Sequence, residues 1–230
     1  MNSGKHITIA QHAYEKRDRF SIAVSVDCVI FGYEDNDLKV LLIKSDLEEY
    51  EQQWSLLGDL VKVDENLDDA SYRVLKWRTG LDDVYLEQVI TLGDVNRHPA
   101  GRVITVVYYS LVNIQDHQLR LKDNEVHWHS VYDIKTLAFD HKHILDVCVQ
   151  KLRERIWESP IVMRLLPEKF SLRELQNVYE AILNTRLDRR NFRKKISLMK
   201  WLEDVEEYEQ DVPHRPGKLY RLSSRFMNLV

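Results

Sequence analysis

Only two cysteines, Cys28 and Cys148, occur in 230 residues. Cys28 lies in an apolar run and Cys148 in a helical pattern, so the expectation is two buried free thiols in a reducing compartment rather than a disulfide framework. Long apolar runs are also missing. No segment is long enough to span a bilayer, and the first residues hold no stretch that would serve as a signal peptide. A cytoplasmic protein with no membrane partner is expected. An excess of positive charge is lacking too: 33 Lys and Arg stand against 37 Asp and Glu, a net charge of −4. That excludes a uniformly basic nucleic-acid coat but leaves room for local asymmetry. There is no internal repeat, no low-complexity tract and no Gly/Ser-rich linker, so any two domains should pack closely. What is present, 44% hydrophobic and 30% charged residues, suits a chain that buries a core. The length allows one large domain, or one medium and one small.

Residues 1–19 are polar and mixed in charge and read as an arm. Phe20 to Phe31 (FSIAVSVDCVIF) is rich in apolar, small and β-branched residues, the pattern of a largely buried strand. Asp27 interrupts it. A carboxylate inside a core strand needs either a structural partner or a ligand cavity. A turn at Tyr33–Asp37 leads to a second strand, Leu38–Ile43, ending at Lys44. Glu87–Val95 and Arg102–Val112 are strand-like, and the second (RVITVVYYSLV) should be central in a sheet. The intervening loop, Asn96-Arg97-His98-Pro99-Ala100-Gly101, is either a ligand-contacting loop or a solvated turn. Val126–Val131 is a short strand with His127 and His129 on one face; no cysteine or third histidine accompanies them, so a metal is not expected. The same holds for His141 and His143, which open an amphipathic helix running to Trp157.

Between the hairpin and the central strands lies GDLVKVDENLDDASYRVLKWRTGL, Gly58 to Leu81. Leu67, Ala70, Val74 and Leu75 have helical spacing, with Trp77 alongside, and Gly80 sits where a helix C-cap wants a positive φ. This stretch resembles the Nudix box, Gly-x5-Glu-x7-Arg-Glu-apolar-x-Glu-Glu-x-Gly-apolar. Glu65, Arg73, Leu75, Gly80 and Leu81 fall in place. The acids do not: Val74, Trp77 and Arg78 occupy the glutamate positions, and Asp59 the opening glycine. Nudix enzymes use those carboxylates to hold divalent cations, hard ions that want oxygen ligands, against a diphosphate. Neither Val74 nor Trp77 can be a ligand and Arg78 would repel the ion, so the expectation is a Nudix-shaped domain that is not an enzyme, with no metal and no cofactor.

The C-terminal part has a different grammar. Ile161–Leu166 reads as a short helix stopped by Pro167. Ser171-Leu172-Arg173-Glu174 is a capping box opening a helix, Asn184–Leu187 a turn, and Asp188 a cap for a second helix. On that second helix Phe192, Ile196 and Met199 share one face, while Arg190, Arg193, Lys194 and Ser197 take the other. From Thr185 to Trp201 seven Lys/Arg stand against one acid. A basic helix after a tight turn suits the DNA major groove, where Arg reads guanine, Asn reads adenine and other cations hold phosphates. Arg189, Arg190, Asn191, Arg193, Lys194 and Ser197 are the candidate contacts. An acidic segment, Glu203–Asp211, precedes the basic turn His214–Lys218 and the strand-like Leu219–Leu222. This reads as a wing from which Arg215 and Lys218 reach a phosphate or the minor groove.

Nearly the whole chain is similar to the Nudix-related transcriptional regulators. The carrying segments are VDCVIFGYEDNDLKVLLIK, the degenerate box, NRHPAGRVITVVYY and LAFDHKHIL, then LLPEKFSLRELQNVYEAIL, LDRRNFRKKI and RPGKLYRL. The resemblance implies an α+β fold. A Nudix-like α/β/α sandwich with a mixed sheet spans residues 1–157, and a small winged helix-turn-helix spans residues 158–230. It further implies a homodimer on double-stranded, palindromic operator DNA, acting as a repressor under a small-molecule effector. One branch of the family senses ADP-ribose in NAD metabolism; others govern sugar catabolism, including arabinose-responsive members. This chain resembles the sugar-responsive members more, which implies L-arabinose as the favoured effector and ADP-ribose as the alternative; Asp59 at the glycine position and the loss of the metal ligands also speak against a metal-held diphosphate. Asp27, Lys44, Asp59, Asn96, Arg97 and Arg102 are the candidate effector contacts. An active Nudix hydrolase would require other ligands, such as Glu65 with Asp68 or Asp69.

Overall fold

The computed structural model describes residues 22–45, 47–81, 84–99, 101–115, 126–213 and 215–229. The expected N-terminal arm, the first residues of the first strand and His214 lie outside them.

The larger sheet is mixed and seven-stranded. Strand β1 (Ala23–Glu34) and strand β2 (Asp37–Lys44) form a hairpin. Its two loop residues, Asp35 and Asn36, both adopt positive φ, 54° and 59°, the geometry that matches strand twist and that Asp and Asn tolerate. Short β3 (Trp54–Ser55) and β4 (Leu57–Leu60) follow, then β5 (Glu87–Leu92), β6 (Val103–Asn113) and β7 (Val126–Ser130). β6 runs parallel to β1 along its whole length, from Ala23↔Val103 to Tyr33↔Asn113. It is buried on both faces, which is why its sequence is an unbroken apolar run. β5 ends at Leu92, short of the expected Val95, because Arg102 donates to the Gly93 and Asp94 carbonyls and turns the chain.

The opposite edge of β1 is shared. Residues 25–28 pair with β4 and residues 31–34 with β2, both antiparallel. The two partners give way to one another at Val29–Ile30, and a cavity opens beside the β1–β4 pair, lined by Ser25, Asp27, Gly58 and Asp59.

Helix α1 (Leu67–Thr79) covers one face, packing Ala70, Val74 and Leu75 onto Val26, Cys28, Ile30, Leu57, Val106 and Tyr108. Gly80 caps it at φ 75°. Helix α2 (His141–Arg155) covers the other face with Ile144, Leu145, Cys148 and Leu152. Both cysteines are buried and free. The core under α2 continues without a break into the C-terminal unit. Val29, Phe31, Leu38 and Val40 of the sheet belong to the same cluster as Tyr179, Ile182, Phe192 and Ile196.

That unit begins with a 3-10 helix at Pro160–Leu165, where a short helix was expected over Ile161–Leu166. It continues with β8 (Phe170–Ser171), α3 (Leu172–Leu183), α4 (Arg189–Met199), β9 (Leu202–Tyr208) and β10 (Lys218–Leu222), the strands in order β8-β10-β9. Ser171 and Glu174 form the reciprocal capping box, Asn184 ends α3 at φ 51°, and the Asp188 carboxylate accepts the Asn191 N–H. Most of the acidic segment, Glu203 to Tyr208, lies in β9. Its carboxylates hold neighbouring cations: Asp204 with Lys218 at 2.6 Å, Glu207 with Lys169 at 2.7 Å and Glu203 with Arg221 at 3.4 Å. No helix of the described residues is long and apolar enough to cross a membrane.

Candidate functional site

Asp27 is the floor of a cavity of about 500 Å³ lined by β1, the end of β2, β3, β4, the end of α1, the 97–103 loop and the start of α2. It is 4% exposed, so its charge must be met locally. Thr105 Oγ1 donates to its Oδ2 at 2.6 Å, the Arg97 guanidinium lies 3.6 Å away, and His141 Nε2 is 3.5 Å from its Oδ1.

The histidine's protonation follows from its other nitrogen. His141 Nδ1 accepts the Leu56 N–H at 3.0 Å, with Ser55 Oγ also 3.0 Å away. A nitrogen that accepts from a backbone amide carries no proton, so the ring is neutral and its hydrogen sits on Nε2, facing Asp27. Burial pushes the imidazole pKa below its ordinary value, against the opposing pull of Asp27.

Arg97 is nearly as buried, with 3% of its side chain exposed. Its Nε and one terminal nitrogen donate to the two Asp140 oxygens at 2.9 and 2.8 Å. This two-point clasp ties the 97–103 loop to the residue preceding α2. Above it lies an aromatic rim. Phe139 is held at φ 55°, a left-handed conformation uncommon for a bulky residue. Its ring stacks on His98 at 5.0 Å and 11°, with Tyr50 at 4.5 Å and His141 at 5.0 Å.

On the α1 side, Glu65 and Arg73 form a two-point pair at 2.8 and 2.7 Å. Arg73 also donates to Asp59 at 2.7 Å and to the Leu60 carbonyl at 2.9 Å. The pairing with Arg73, aided by the Lys62 N–H, holds the Glu65 carboxyl down at about 2. Val74 is fully buried, and Arg78 lies against the Trp77 ring, 4.1 Å from its centroid, while lining the cavity. The alternative ligand set is dispersed. Asp68 accepts from the Tyr108 hydroxyl and Asp69 from the Asn66 amide. Among the described residues no cluster of three His, Cys, Asp or Glu side chains could hold a metal. His127 and His129 pack against Trp54 instead.

Of the effector contacts read from sequence, Asp27, Asp59, Arg97 and Arg102 line this cavity. Lys44 and Asn96 do not. The Lys44 ammonium donates to the Gln52 carbonyl at 2.6 Å and sits 4.0 Å from the centre of the Trp54 ring. Asn96 is exposed on the turn before Arg97. Sequence reasoning missed Ser55, Arg78, His98, Phe139, Asp140 and His141. The available signal was Asp27 itself, a buried acid for which Arg97 and His141 were the partners to seek.

In the C-terminal unit Arg189, Arg190, Asn191, Arg193, Lys194 and Ser197 are all exposed, while Phe192 and Ile196 are buried. Met199 is partly buried at the edge of the core. A groove of about 690 Å³ separates α4 from the β9–β10 hairpin, lined by Arg189, Arg193, Arg215 and Lys218 among others. Glu209 fixes the hairpin by pairing with Arg173 at 3.0 Å and accepting the Gly217 N–H at 2.8 Å.

Two family models match the chain, the NUDIX domain over residues 22–148 and the NrtR DNA-binding winged helix domain over residues 162–222. The chain is 32% identical over 215 residues to the ADPR responsive transcriptional repressor NtrR of Acinetobacter baylyi, covering 91% of this chain and 86% of that one. This protein belongs to the Nudix-related transcriptional regulators. The regulator is also similar to the crystal structure of Shewanella oneidensis NrtR complexed with a 27mer DNA, at 30% identity and a TM-score of 0.77 over 87% of this chain and 93% of that one. Its sheet unit is similar to the NUDIX domain of the same NrtR complexed with ADP ribose. That match has 29% identity and a TM-score of 0.55, over 63% of this chain and 99% of that one.

Proposed function

We propose that the protein is a repressor that binds operator DNA as a homodimer and responds to ADP-ribose through the cavity over Asp27. The carrying observation is the cavity's position and make-up. It lies in a Nudix domain similar to one crystallised with ADP ribose, and Arg78, Arg97 and Arg102 stand on its walls beside the Phe139 rim. Arginines suit phosphate oxygens, and an aromatic ring offers a face on which an adenine stacks. The relative matching almost the whole chain is named for the same effector, which favours ADP-ribose over the L-arabinose preferred from sequence. The acid-free box supports binding without hydrolysis, since a metal-assisted cleavage needs oxygen ligands where Val74, Trp77 and Arg78 stand. The exposed basic face of α4 and the adjoining wing supply the DNA contact.

One observation favours a second reading, a pentose such as L-arabinose. Arg97 is already clasped by Asp140 and approached by Asp27, so the deepest part of the cavity is a network of carboxylates and donors suited to hydroxyls rather than to a diphosphate.

Full-length protein titrated with ADP-ribose and with L-arabinose, read by thermal shift and by release of bound duplex operator, decides between them. A ligand that binds the native state raises the unfolding temperature. A shift and DNA release with ADP-ribose is the expected result. A response to L-arabinose alone transfers the site to the sugar reading, and silence to both removes the proposed effector role.

A further inference from the structure

Among the described residues, the groove between α4 and the β9–β10 hairpin is lined by five cations, Arg173, Arg189, Arg193, Arg215 and Lys218, and by one acid, Glu209. A carboxylate in such a groove repels DNA phosphates, so its charge alone opposes binding. Nor is Glu209 a solvated rim charge, since only 9% of its side chain is exposed. A buried acid among DNA-facing cations needs a reason, and its partners supply one.

β9 ends at Tyr208 and β10 starts at Lys218. Glu209 closes the hairpin between them twice. Its N–H donates to the Gly217 carbonyl at 2.9 Å, and its carboxylate accepts the Gly217 N–H at 2.8 Å. A Cβ at residue 217 would lie 3.0 Å from that carboxylate oxygen, so the glycine leaves room for the close approach. The other carboxylate oxygen accepts from the Arg173 guanidinium at 3.0 Å, in the first turn of α3. The same side chain therefore holds the hairpin closed and ties it to the helix that leads into α4. Sheet pairing gives that tie little help: β10 meets β8 over two residues, Leu219↔Ser171 and Tyr220↔Phe170.

We propose that Glu209 is a positioning residue for DNA binding. Its carboxylate locks the wing to α3, so that Arg215 and Lys218 face the same duplex as Arg189 and Arg193. This rests on the DNA-binding reading and deepens it.

The test is fluorescence anisotropy of a labelled mixed-sequence DNA duplex, titrated with full-length protein over a range of salt concentrations. Wild type is compared with Glu209→Gln, Glu209→Asp and Glu207→Gln. Positioning and charge predict opposite signs. Glu209→Gln removes a negative charge beside the DNA yet should weaken binding. It should also lower the slope of log affinity against log salt by about one to two, as the wing cations lose their phosphates. Glu209→Asp keeps the charge but is one methylene too short to span Gly217 and Arg173, and should weaken binding in the same way. It decides the question if Glu209→Gln does not fold. Glu207→Gln removes a charge from the same hairpin outside the groove lining, where Glu207 pairs with Lys169; it should bind as wild type or slightly tighter. The proposal is overturned if Glu209→Gln binds as tightly as wild type or tighter, or if Glu209→Asp keeps the affinity and salt slope of wild type. Wild type that shows no salt-dependent binding to the duplex overturns the DNA-binding reading itself.

Discussion

Gly58 faces Asp27 across the antiparallel β1–β4 pairing, and a Cβ at residue 58 would overlap the Asp27 Oδ1. The glycine's role here is space rather than backbone freedom, since the buried carboxylate occupies the volume any side chain would need. Gly58→Ala should cost about 1–3 kcal/mol of stability, the range for overpacking a filled interior, and should disturb the Asp27–Thr105 contact. Chemical denaturation of the variant checks this. An unchanged midpoint would mean that Asp27 swings aside freely.

His141 is buried and neutral, with its folded-state pKa below the ordinary value of 6.5. The unfolded chain therefore takes up a proton before the folded one does. The stability His141 provides is complete above about pH 6.5 and declines as the pH falls below it. Wild type should lose stability between pH 7 and pH 5 more steeply than His141→Gln, measured by thermal unfolding at each pH. Parallel curves would show that His141 titrates in the folded protein much as it does in the unfolded chain. Nitrogen NMR at pH 7 should find the imidazole proton on Nε2.

Arg190 and Arg193 stand on the exposed side of α4, away from Phe192 and Ile196. If either reads a base, its replacement by Ala should weaken operator binding by about 1–3 kcal/mol and relax the sequence preference at one position. Gel-shift titration at fixed salt measures both effects. Full affinity in both variants would place a different face of α4 in the groove.

An effector signal must travel from the cavity to α4, and α2 links the cavity to α3, which packs against α4. Asp140 and His141 stand at its start. At its far end Arg153 Nε donates to the Ile182 carbonyl at 3.0 Å, and the Tyr179 hydroxyl donates to the Ile156 carbonyl at 2.7 Å. Trp157 packs on Tyr179 at 4.6 Å, with the Lys195 ammonium of α4 3.3 Å from its ring centre. Fifteen helical residues span about 22 Å at 1.5 Å each. Arg153→Ala should leave effector affinity and effector-free DNA affinity close to wild type while reducing the change one ligand makes in the other's binding. Undiminished coupling in a titration of both ligands would assign the route to other contacts.

The sequence by itself determined much of this protein. The capping box at Ser171–Glu174, the Asp188 cap and the Gly80 C-cap are local devices, set by hydrogen bonds a few residues apart. The apolar periods of α1, α2 and α4 are equally local. The failed box was legible for the same reason, because a missing carboxylate is missing in any conformation. The tertiary structure decided what depends on distant residues meeting. Asp27 was suspect as a buried acid, but its partners Arg97, Thr105 and His141 come from separate elements that only the sheet and α2 assemble. Lys44 and Asn96 were placed near the cavity by sequence position, and side-chain direction took them away from it. The acids of β9 meet Lys218, Arg221 and Lys169 only through the pairing of β8, β10 and β9. Arg78 had the charge to exclude a metal from sequence alone; only the packing of α1 against β1 and β4 turned that charge into the cavity.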